Sequence, residues 1–326
     1  MELPNELRLA LEQELRGTEI ARLANDAAAL SARYRERRAP ETLTPALAAA
    51  YALVRMPASY AATAAALGAL AERLPNFAPA SLLDVGSGTG AALWAAASVW
   101  KSLDRATLLE RDQAMAALGR RLAAKGRRAL FGAAEWRRAD LAGPWTAEPH
   151  DLVTAVYVLG ELSDGQRAEL VRRLWERTSM ALVLIEPGTP QGWATIRAAR
   201  EQLRAAGAWL VAPCPHQGPC PLPADDWCHF AQRISRSRAH RAAKGAALGY
   251  EDEKYSYVAA AKMPGEPIQA RVLRHPLVRP GRVELALCAD VGLRRTLITR
   301  GSGEAWRLAR DLRWGDALPP GALEEL

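Results

Sequence analysis

Four cysteines are the residues of this chain whose spacing most suggests chemistry. Cys214, Cys220, Cys228 and Cys288 are separated by five, seven and 59 residues, and prolines or a glycine flank the first two. Such flanks favour a rigid loop that holds several thiolates towards one centre. Four thiolates suit tetrahedral zinc or a [4Fe-4S] cluster, but the spacing departs from the short cysteine pairs typical of structural zinc. The residues themselves therefore leave both metals open.

A smaller ligand set is the alternative. Free cysteines are often buried in strands, and Cys288 lies in RVELALCADVG, a run with strand character. In that case only three cysteines cluster, and His216 or His229 could complete a metal site. Each histidine alone is more often a hydrogen-bonding or surface residue.

A basic run without acids follows the third cysteine. It contains Arg233, Arg236, Arg238, Arg241 and Lys244. The part of the chain that begins at His229 holds 17 Lys/Arg and 11 Asp/Glu, a net charge of +6, whereas the whole chain carries +7. Basic regions of this kind bind phosphate backbones through counterion release. A solvated basic face is the alternative.

A third candidate site is a strand, a glycine loop and a helix in succession. Ser81 to Val85 form a compact apolar strand, and Gly86, Gly88 and Gly90 precede a helix-forming run. Glycines let the backbone pass close to a ligand, and a helix N-terminus presents N–H groups. With Ala91 as the third small residue, Gly86 and Gly88 fit the dinucleotide pattern G-x-G-x-x-G/A. With Asp84 in front, the glycine spacing also resembles motif I of class I S-adenosylmethionine-dependent methyltransferases.

Two acids further along favour the methyltransferase. Glu110 ends the second predicted strand, where an acid accepts hydrogen bonds from ribose hydroxyls. Asp140 follows the next strand, where the resemblance places an acid near the adenine amino group. For either acid alone, a cap or a turn is the alternative, but together at successive strand ends they favour S-adenosylmethionine over a dinucleotide. No catalytic residue is assigned, because no Asn/Asp-Pro-Pro-Tyr motif follows Asp151.

These sites require a scaffold of three predicted parts. Residues 1–75 are predicted to be a helical N-terminal region, with prolines 40, 45 and 57 at helix starts or breaks. Residues 76–263 are predicted to be an α/β domain, a Rossmann-like doubly wound sheet of the class I methyltransferase type. Its closing hairpin strands, GAWLVA and YSYVAA, enclose residues 213–249 as a Cys/Arg-rich insertion. Residues 264–326 are predicted to be a small β domain, with an oligonucleotide-binding (OB) barrel as one candidate.

Composition and the lengths of the apolar runs indicate which broad class of protein to expect. Hydrophobic residues make up 49% and charged residues 24% of the 326-residue chain, as in ordinary soluble proteins. The apolar runs are too short to span a bilayer, and the first residues lack a signal-peptide core. Few cysteines suit a reducing compartment. We therefore expect a cytoplasmic protein, with no membrane partner, that is a monomer.

Several segments together resemble the Rsm family, the methyltransferase-like assembly factors of the mitochondrial small ribosomal subunit and their bacterial relatives. The segments are CPHQGPCP, WCHFAQR, YEDEKYSYV, the strand cysteine and the closing LRWGD. The resemblance spans roughly Tyr51 to Asp316. It implies that the four cysteines hold a [4Fe-4S] cluster, that the basic run binds small-subunit ribosomal RNA, and that the glycine loop binds S-adenosylmethionine.

Three hypotheses for the function follow. The first is an S-adenosylmethionine-binding, [4Fe-4S]-containing protein that acts on small-subunit ribosomal RNA, as a methyltransferase. The second is a non-catalytic RNA-binding assembly factor that uses the fold as a scaffold. The third is a zinc-stabilised methyltransferase of a protein or a small molecule.

Overall fold

The structure is a computed structural model that describes residues 1–16, 24–26, 28–29 and 42–322. The described helices are α1 (Asn5–Glu14), α2 (Pro45–Arg73), α3 (Ala91–Val99), α4 (Gln113–Ala123), α5 (Ala129–Ala133), α6 (Asp164–Glu176), α7 (Pro190–Ala205), α8 (Arg238–Ala243) and α9 (Glu304–Asp311). The described strands are β1 (Ser81–Val85), β2 (Arg105–Glu110), β3 (Glu135–Arg138), β4 (His150–Val156), β5 (Thr178–Pro187), β6 (Trp209–Ala212), β7 (Phe230–Ser235), β8 (Tyr250–Ala261), β9 (Ala270–Val272), β10 (Leu277–Arg279), β11 (Arg282–Ala289), β12 (Gly292–Thr299) and β13 (Ala317–Leu318).

The large sheet has the order β3-β2-β1-β4-β5-β8-β6. Strands β1 to β5 run parallel to one another, whereas β8 is antiparallel to both β5 and β6. All five residues of β1 are buried, as expected of a parallel strand covered on both faces. The predicted α/β class, with the sheet of a class I methyltransferase, is confirmed.

The end of this sheet is the hairpin that the sequence predicts. Strand β6 pairs with the second half of β8, and β7 pairs with the first half of the same strand. The chain between β6 and β8 contains the three clustered cysteines, β7 and α8. One long strand therefore anchors both the methyltransferase sheet and the basic run.

Helix α2 belongs to the core of the sheet domain. Pro45 occupies its first turn, and the hydroxyl oxygen of Thr44 caps it by accepting from the Leu47 N–H at 3.2 Å. Pro57 lies inside α2 and does not end it, and Pro40 lies outside the described residues. Apolar residues of α2 share one buried cluster with β1, β4 and β5. None of the described helices, α2 included, has the apolar length that crossing a membrane requires.

The C-terminal strands form a smaller sheet with its own core. Strand β11 pairs antiparallel with β9, β10 and β12, and β13 pairs with β9. Helix α9 contributes Ala305 and Ala309 to the buried cluster of this unit. Within the described residues no pairing joins β12 to β13, so the sheet is open. The OB barrel stays a prediction.

Candidate functional site

The glycine loop follows β1 at the carboxyl edge of the large sheet. Gly86, Gly88 and Gly90 have φ angles of 70°, 53° and 84°, a region that other residues rarely adopt. A Cβ atom on Gly86 would lie 2.6 Å from a methyl group of Val158. The backbone therefore passes where only glycine fits, directly against the segment that follows β4.

Asp84 is the acid at the end of β1. Its Oδ1 accepts a hydrogen bond from the Thr154 hydroxyl at 2.7 Å. Its Oδ2 is buried and has no partner among the described residues. Burial raises the pKa of this carboxyl to about 7. An unpartnered acceptor beside the glycine loop fits a ligand that carries a cationic amino group, which would stabilise the ionised carboxylate.

Glu110 closes the loop from the end of β2. Its Oε2 accepts from the Gly88 N–H and its Oε1 from the Asp112 N–H, both at 2.7 Å. Each carboxylate oxygen keeps further acceptor capacity, so ribose hydroxyls could still bind. Asp140 is exposed, and its Oδ1 accepts from the Ala142 N–H at 3.1 Å in a turn after β3. The structure therefore places Asp84 and Glu110 at the loop and Asp140 in a surface turn.

The turn after β4 carries residues that the sequence did not reveal. Tyr157 has a φ of 57°, in the left-handed region that strains a residue with a side chain. Its hydroxyl donates to Glu253 Oε1 at 2.9 Å, and the Arg55 guanidinium donates to the same carboxylate at 3.0 Å. Helix α2, the end of β4 and strand β8 thus meet at this edge. No sequence signal marks a tyrosine with a positive φ.

A buried acid from β5 shapes the same turn. Oε1 of Glu186 accepts from the N–H groups of Leu159 and Gly160 at 2.8 and 3.3 Å. Burial raises the pKa values of Glu186 and of nearby Glu161 to about 7. The turn that faces the glycine loop is therefore fixed by a carboxylate beneath it.

The four cysteines line one cavity between the two sheets. They are free thiols: Cys214, Cys220 and Cys228 come from the loop after β6, and Cys288 comes from β11 of the smaller sheet. Burial raises the pKa of Cys288 to about 12 and also raises that of Cys228. In the part of the chain that the structure describes, no three Cys, His, Asp or Glu side chains lie close enough together to hold a metal ion.

The two histidines differ in their relation to this cavity. His216 lines it, with its Nε2 at 3.7 Å from the Cys288 sulfur. His229 instead stacks on Trp227 and contacts the edge of Trp314. Four thiols and one imidazole therefore line the same cavity.

Three buried arginines converge on the loop that carries the first cysteine. Arg73, Arg200 and Arg271 are 5%, 1% and 1% exposed. Arg200 Nε donates to the Cys214 sulfur at 3.2 Å, Arg271 Nε donates to the Pro213 carbonyl at 3.0 Å, and Arg73 donates to the Cys214 carbonyl at 3.5 Å. Cationic donors around thiols fit an anionic thiolate centre.

Carboxylates of β8 neutralise much of the basic run. Arg233 forms two 2.8 Å hydrogen bonds with Asp252. Arg236 and Lys244 both pair with Glu251, at 2.8 and 2.5 Å.

The remaining two basic residues differ from these three. Arg238 and Arg241 lie exposed on α8 and form no ion pair with any residue that the structure describes. The five predicted RNA contacts thus divide into three paired cations and two unpaired ones.

Comparison with known proteins places this chain among its relatives. The sequence pattern of a family described as "Mitochondrial small ribosomal subunit Rsm22" matches residues 45–319.

The chain belongs to the Rsm22 family.

The predicted Rsm resemblance is thus confirmed. The human protein named "Ribosome assembly protein METTL17, mitochondrial" is 31% identical over 302 residues, which covers 85% of this chain and 63% of METTL17. "Rsm22-cox11 tandem protein 2, mitochondrial" of Schizosaccharomyces pombe is 29% identical over 226 residues, which covers 53% of this chain and 29% of that protein. The chain therefore spans less than two thirds of the length of either relative.

Among solved structures, magnesium protoporphyrin IX methyltransferase (ChlM) from Synechocystis PCC 6803 with bound SAH is similar. It has 12% sequence identity and a TM-score of 0.42, and the match covers 72% of this chain and 94% of that one.

The predicted cytoplasmic location is wrong. The Rsm22 family description and the names of both relatives specify the mitochondrion. The prediction relied on the first residues of the sequence, which cannot decide a location for a chain that spans only part of its relatives.

The buried carboxyl of Asp84 gives a prediction about pH. Its folded pKa of about 7 exceeds the value of ~3.9 in an unfolded chain. Between these values the folded state holds a proton that the unfolded state releases, so stability falls as the pH rises. Relative to Asp84→Asn, the unfolding free energy of the wild type should fall by up to about 1.4 kcal/mol per pH unit between about pH 4 and pH 7.

Urea unfolding across this pH range measures the difference. The exposed Asp104→Asn variant controls for the substitution itself and should follow the wild type. Parallel pH profiles of the wild type and Asp84→Asn would show that Asp84 is ionised in the folded protein and would contradict the prediction.

Proposed function

We propose that this Rsm22-family chain assists the assembly of the small ribosomal subunit, as an S-adenosylmethionine-binding protein with a thiolate-held metal centre and an RNA-contacting helix. The observation that carries the proposal is the cavity between the two sheets. Three of its thiols come from the methyltransferase domain and one comes from the β domain. A metal shared by both would fix the relative position of two RNA-facing units.

The glycine loop is the proposed S-adenosylmethionine site. Gly86, Gly88 and Gly90 would admit the ligand against the backbone, and Oδ2 of Asp84 would accept from its amino group. Glu110 would accept from ribose hydroxyls while it still holds the Gly88 N–H. Asp140 would reach the adenine from its surface turn. When bound, the cofactor supplies an electrophilic methyl group.

The four cysteines are the proposed ligands of a [4Fe-4S] cluster, with zinc as the alternative metal. The donor set is that of a tetrathiolate centre, because all four thiols line one cavity and Arg200 donates to the Cys214 sulfur. The described side chains lie too far apart to hold an ion as they stand, so the thiols would have to draw together around the metal. Thiolates are the ligands that iron–sulfur clusters and structural zinc share. Bound metal would stabilise the ionised form of thiols whose pKa burial otherwise raises.

Arg238 and Arg241 are the proposed contacts to the phosphates of small-subunit ribosomal RNA. Both side chains are exposed, and neither is engaged by a carboxylate in the described residues. An arginine that already pairs with an acid must break that pair to bind a phosphate. Arg233, Arg236 and Lys244 would therefore contribute less, and would mainly hold the insertion on β8.

Methyl transfer to ribosomal RNA is a second candidate function, which Tyr157 favours. Strained backbone of this kind clusters at active sites, and Tyr157 lies where the segment after β4 meets the glycine loop. Its hydroxyl is already oriented by Glu253.

Removing one thiol tests the metal centre. Cys228→Ser, purified anaerobically, should lose most bound iron and sulfide and should unfold at lower urea, because metal binding and folding are coupled. Ser256→Ala removes a hydrogen bond to the Cys228 carbonyl but keeps all four thiols, so it should retain the metal. A wild type that contains stoichiometric zinc and no sulfide would rule out the cluster and leave the tetrathiolate site.

Salt dependence tests the RNA contacts. Arg238→Ala/Arg241→Ala should weaken binding of small-subunit ribosomal RNA and reduce the log–log salt slope by about one to two, because each lost phosphate contact removes roughly 0.7 to 0.9. Arg172→Ala, an exposed arginine paired with acids on α6, is the matched control and should leave the slope unchanged. Equal slopes for the double variant and the wild type would assign these arginines to a solvated face.

Labelled cofactor tests methyl transfer. Wild-type protein should transfer labelled methyl groups to purified small ribosomal subunits, and Asp84→Ala should reduce the incorporation by removing the proposed acceptor of the cofactor's amino group. Equal, background incorporation by both proteins would leave the non-catalytic assembly role.

A further inference from the structure

Arg271 is a buried cation placed beside the cysteine cavity by strand pairing. In the antiparallel register of β9 and β11, Arg271 lies opposite Cys288. Residues opposite each other in such a pair direct their side chains to the same face. Arg271 accordingly lines the cavity together with the four cysteines, and it is 1% exposed.

Within the described residues, two of the three guanidinium nitrogens of Arg271 form hydrogen bonds and one does not. Nε donates to the Pro213 carbonyl at 3.0 Å, and Nη1 donates to the Gly315 carbonyl at 2.8 Å. Nη2 is buried and has no partner within the described residues. No carboxylate of the described chain forms an ion pair with Arg271. A buried charged donor without a partner is unfavourable, so this nitrogen points to a missing acceptor.

We propose that Arg271 Nη2 donates to a cysteine sulfur of a thiolate-held metal centre and compensates its negative charge. The inference rests on the proposed function, in that the cysteines hold a metal. Four thiolates around a doubly positive zinc ion or cluster core leave a net charge of about −2. A negative group of this size in a buried space requires cations and donors around it.

Arg200 supplies the precedent at one of the cysteines that line this cavity. Its Nε already donates to the Cys214 sulfur at 3.2 Å, and it is equally buried. Unlike Arg271, it also pairs with an acid, Glu201. Among the three buried arginines, Arg271 is the one that lines the cavity and keeps a nitrogen without a partner in the described residues.

An arginine suits this position better than a lysine. The planar guanidinium directs several N–H groups along fixed lines. Two of its nitrogens connect the cysteine loop, through Pro213, to the segment before β13, through Gly315. The third is thereby held in one direction. Arg271 would thus be a positioning residue that acts through the cysteine ligands.

Two substitutions at this position test the proposal in the full chain. Arg271→Met removes the charge and the donors, and Arg271→Lys keeps the charge. Arg279→Met, an exposed arginine on nearby β10, is the matched control. Each protein is reconstituted anaerobically with ferrous iron and sulfide and, in a parallel arm, with zinc. The measurements are metal and sulfide content, zinc affinity, reduction potential, and urea stability with and without metal.

The expected effects of these substitutions concern the protein that has bound metal. Arg271→Met should bind zinc about 10- to 100-fold more weakly, the usual effect of removing a partner of metal ligands. Its cluster should have a more negative reduction potential, because reduction adds negative charge that the arginine no longer offsets. The reduction potential of Arg271→Lys should stay close to that of the wild type, and Arg279→Met should match the wild type in every measurement.

Two results would overturn the inference. If Arg271→Met loses the same stability with and without metal, and keeps the potential and zinc affinity of Arg279→Met, then Arg271 only connects two backbone segments. The proposed metal centre would then not depend on Arg271. If the wild type itself takes up neither zinc nor iron and sulfide, the proposed metal centre and this inference both fail. If Arg271→Met does not fold, Arg271→Gln, which removes the charge and keeps an amide donor, takes its place in the same measurements and under the same criteria.

Discussion

Burial of three guanidinium groups around the Pro213–Cys214 segment is the constraint on which the arrangement of this chain depends. A charged group removed from water is strongly unfavourable unless hydrogen bonds replace its hydration. Arg73 at the end of α2, Arg200 in α7 and Arg271 in β9 each meet part of this requirement with groups of one short loop. Helix α2, helix α7 and the smaller sheet are therefore joined through hydrogen bonds to two consecutive residues. Displacing the loop would leave all three charges without these partners at once.

Strand β8 imposes a comparable constraint through its acids. Side chains alternate across a strand, so Glu251 and Glu253 lie on one face and Asp252 on the other. Glu253 binds Arg55 of α2, Asp252 binds Arg233 of β7, and Glu251 binds the two cations around α8. Three consecutive carboxylates thus attach three different elements to one strand. The same strand belongs to the large sheet, and the buried apolar residues of the described insertion lie in clusters shared with that sheet and with α2. The position of the insertion therefore depends on both.

The parts of the site that the sequence revealed are those encoded locally. The glycine loop is recognisable because a buried strand, glycines with positive φ and a helix start occupy consecutive residues, and Glu110 follows at the end of the next strand. The four cysteines are recognisable by residue type alone. Arg271 and Arg200 are not, because a single arginine within a strand or a helix normally indicates a solvent-exposed face. Tyr157 carries no signal of its unusual backbone.

The ion pairs of the basic run could not be predicted from the sequence for a related reason. A count of charges along the chain treats Arg233, Arg236 and Lys244 as unpaired positive charge. The pairing of β7 with β8 instead brings acids beside them. The sequence likewise shows the apolar pattern of α2 but not the residues it packs against, which lie in β1, β4 and β5.

These two constraints together decide what the insertion can present to a partner. The buried arginines attach its cysteine loop to α2, α7 and the smaller sheet, and the β8 acids attach its basic run to the large sheet. Among the basic residues of this run, Arg238 and Arg241 on α8 remain exposed and form no ion pair with the described part of the chain. A polyanion bound there would be held in a fixed orientation relative to the glycine loop, because both attach to the same sheet. That geometry suits the binding of a polyanion of fixed shape better than the binding of a flexible one.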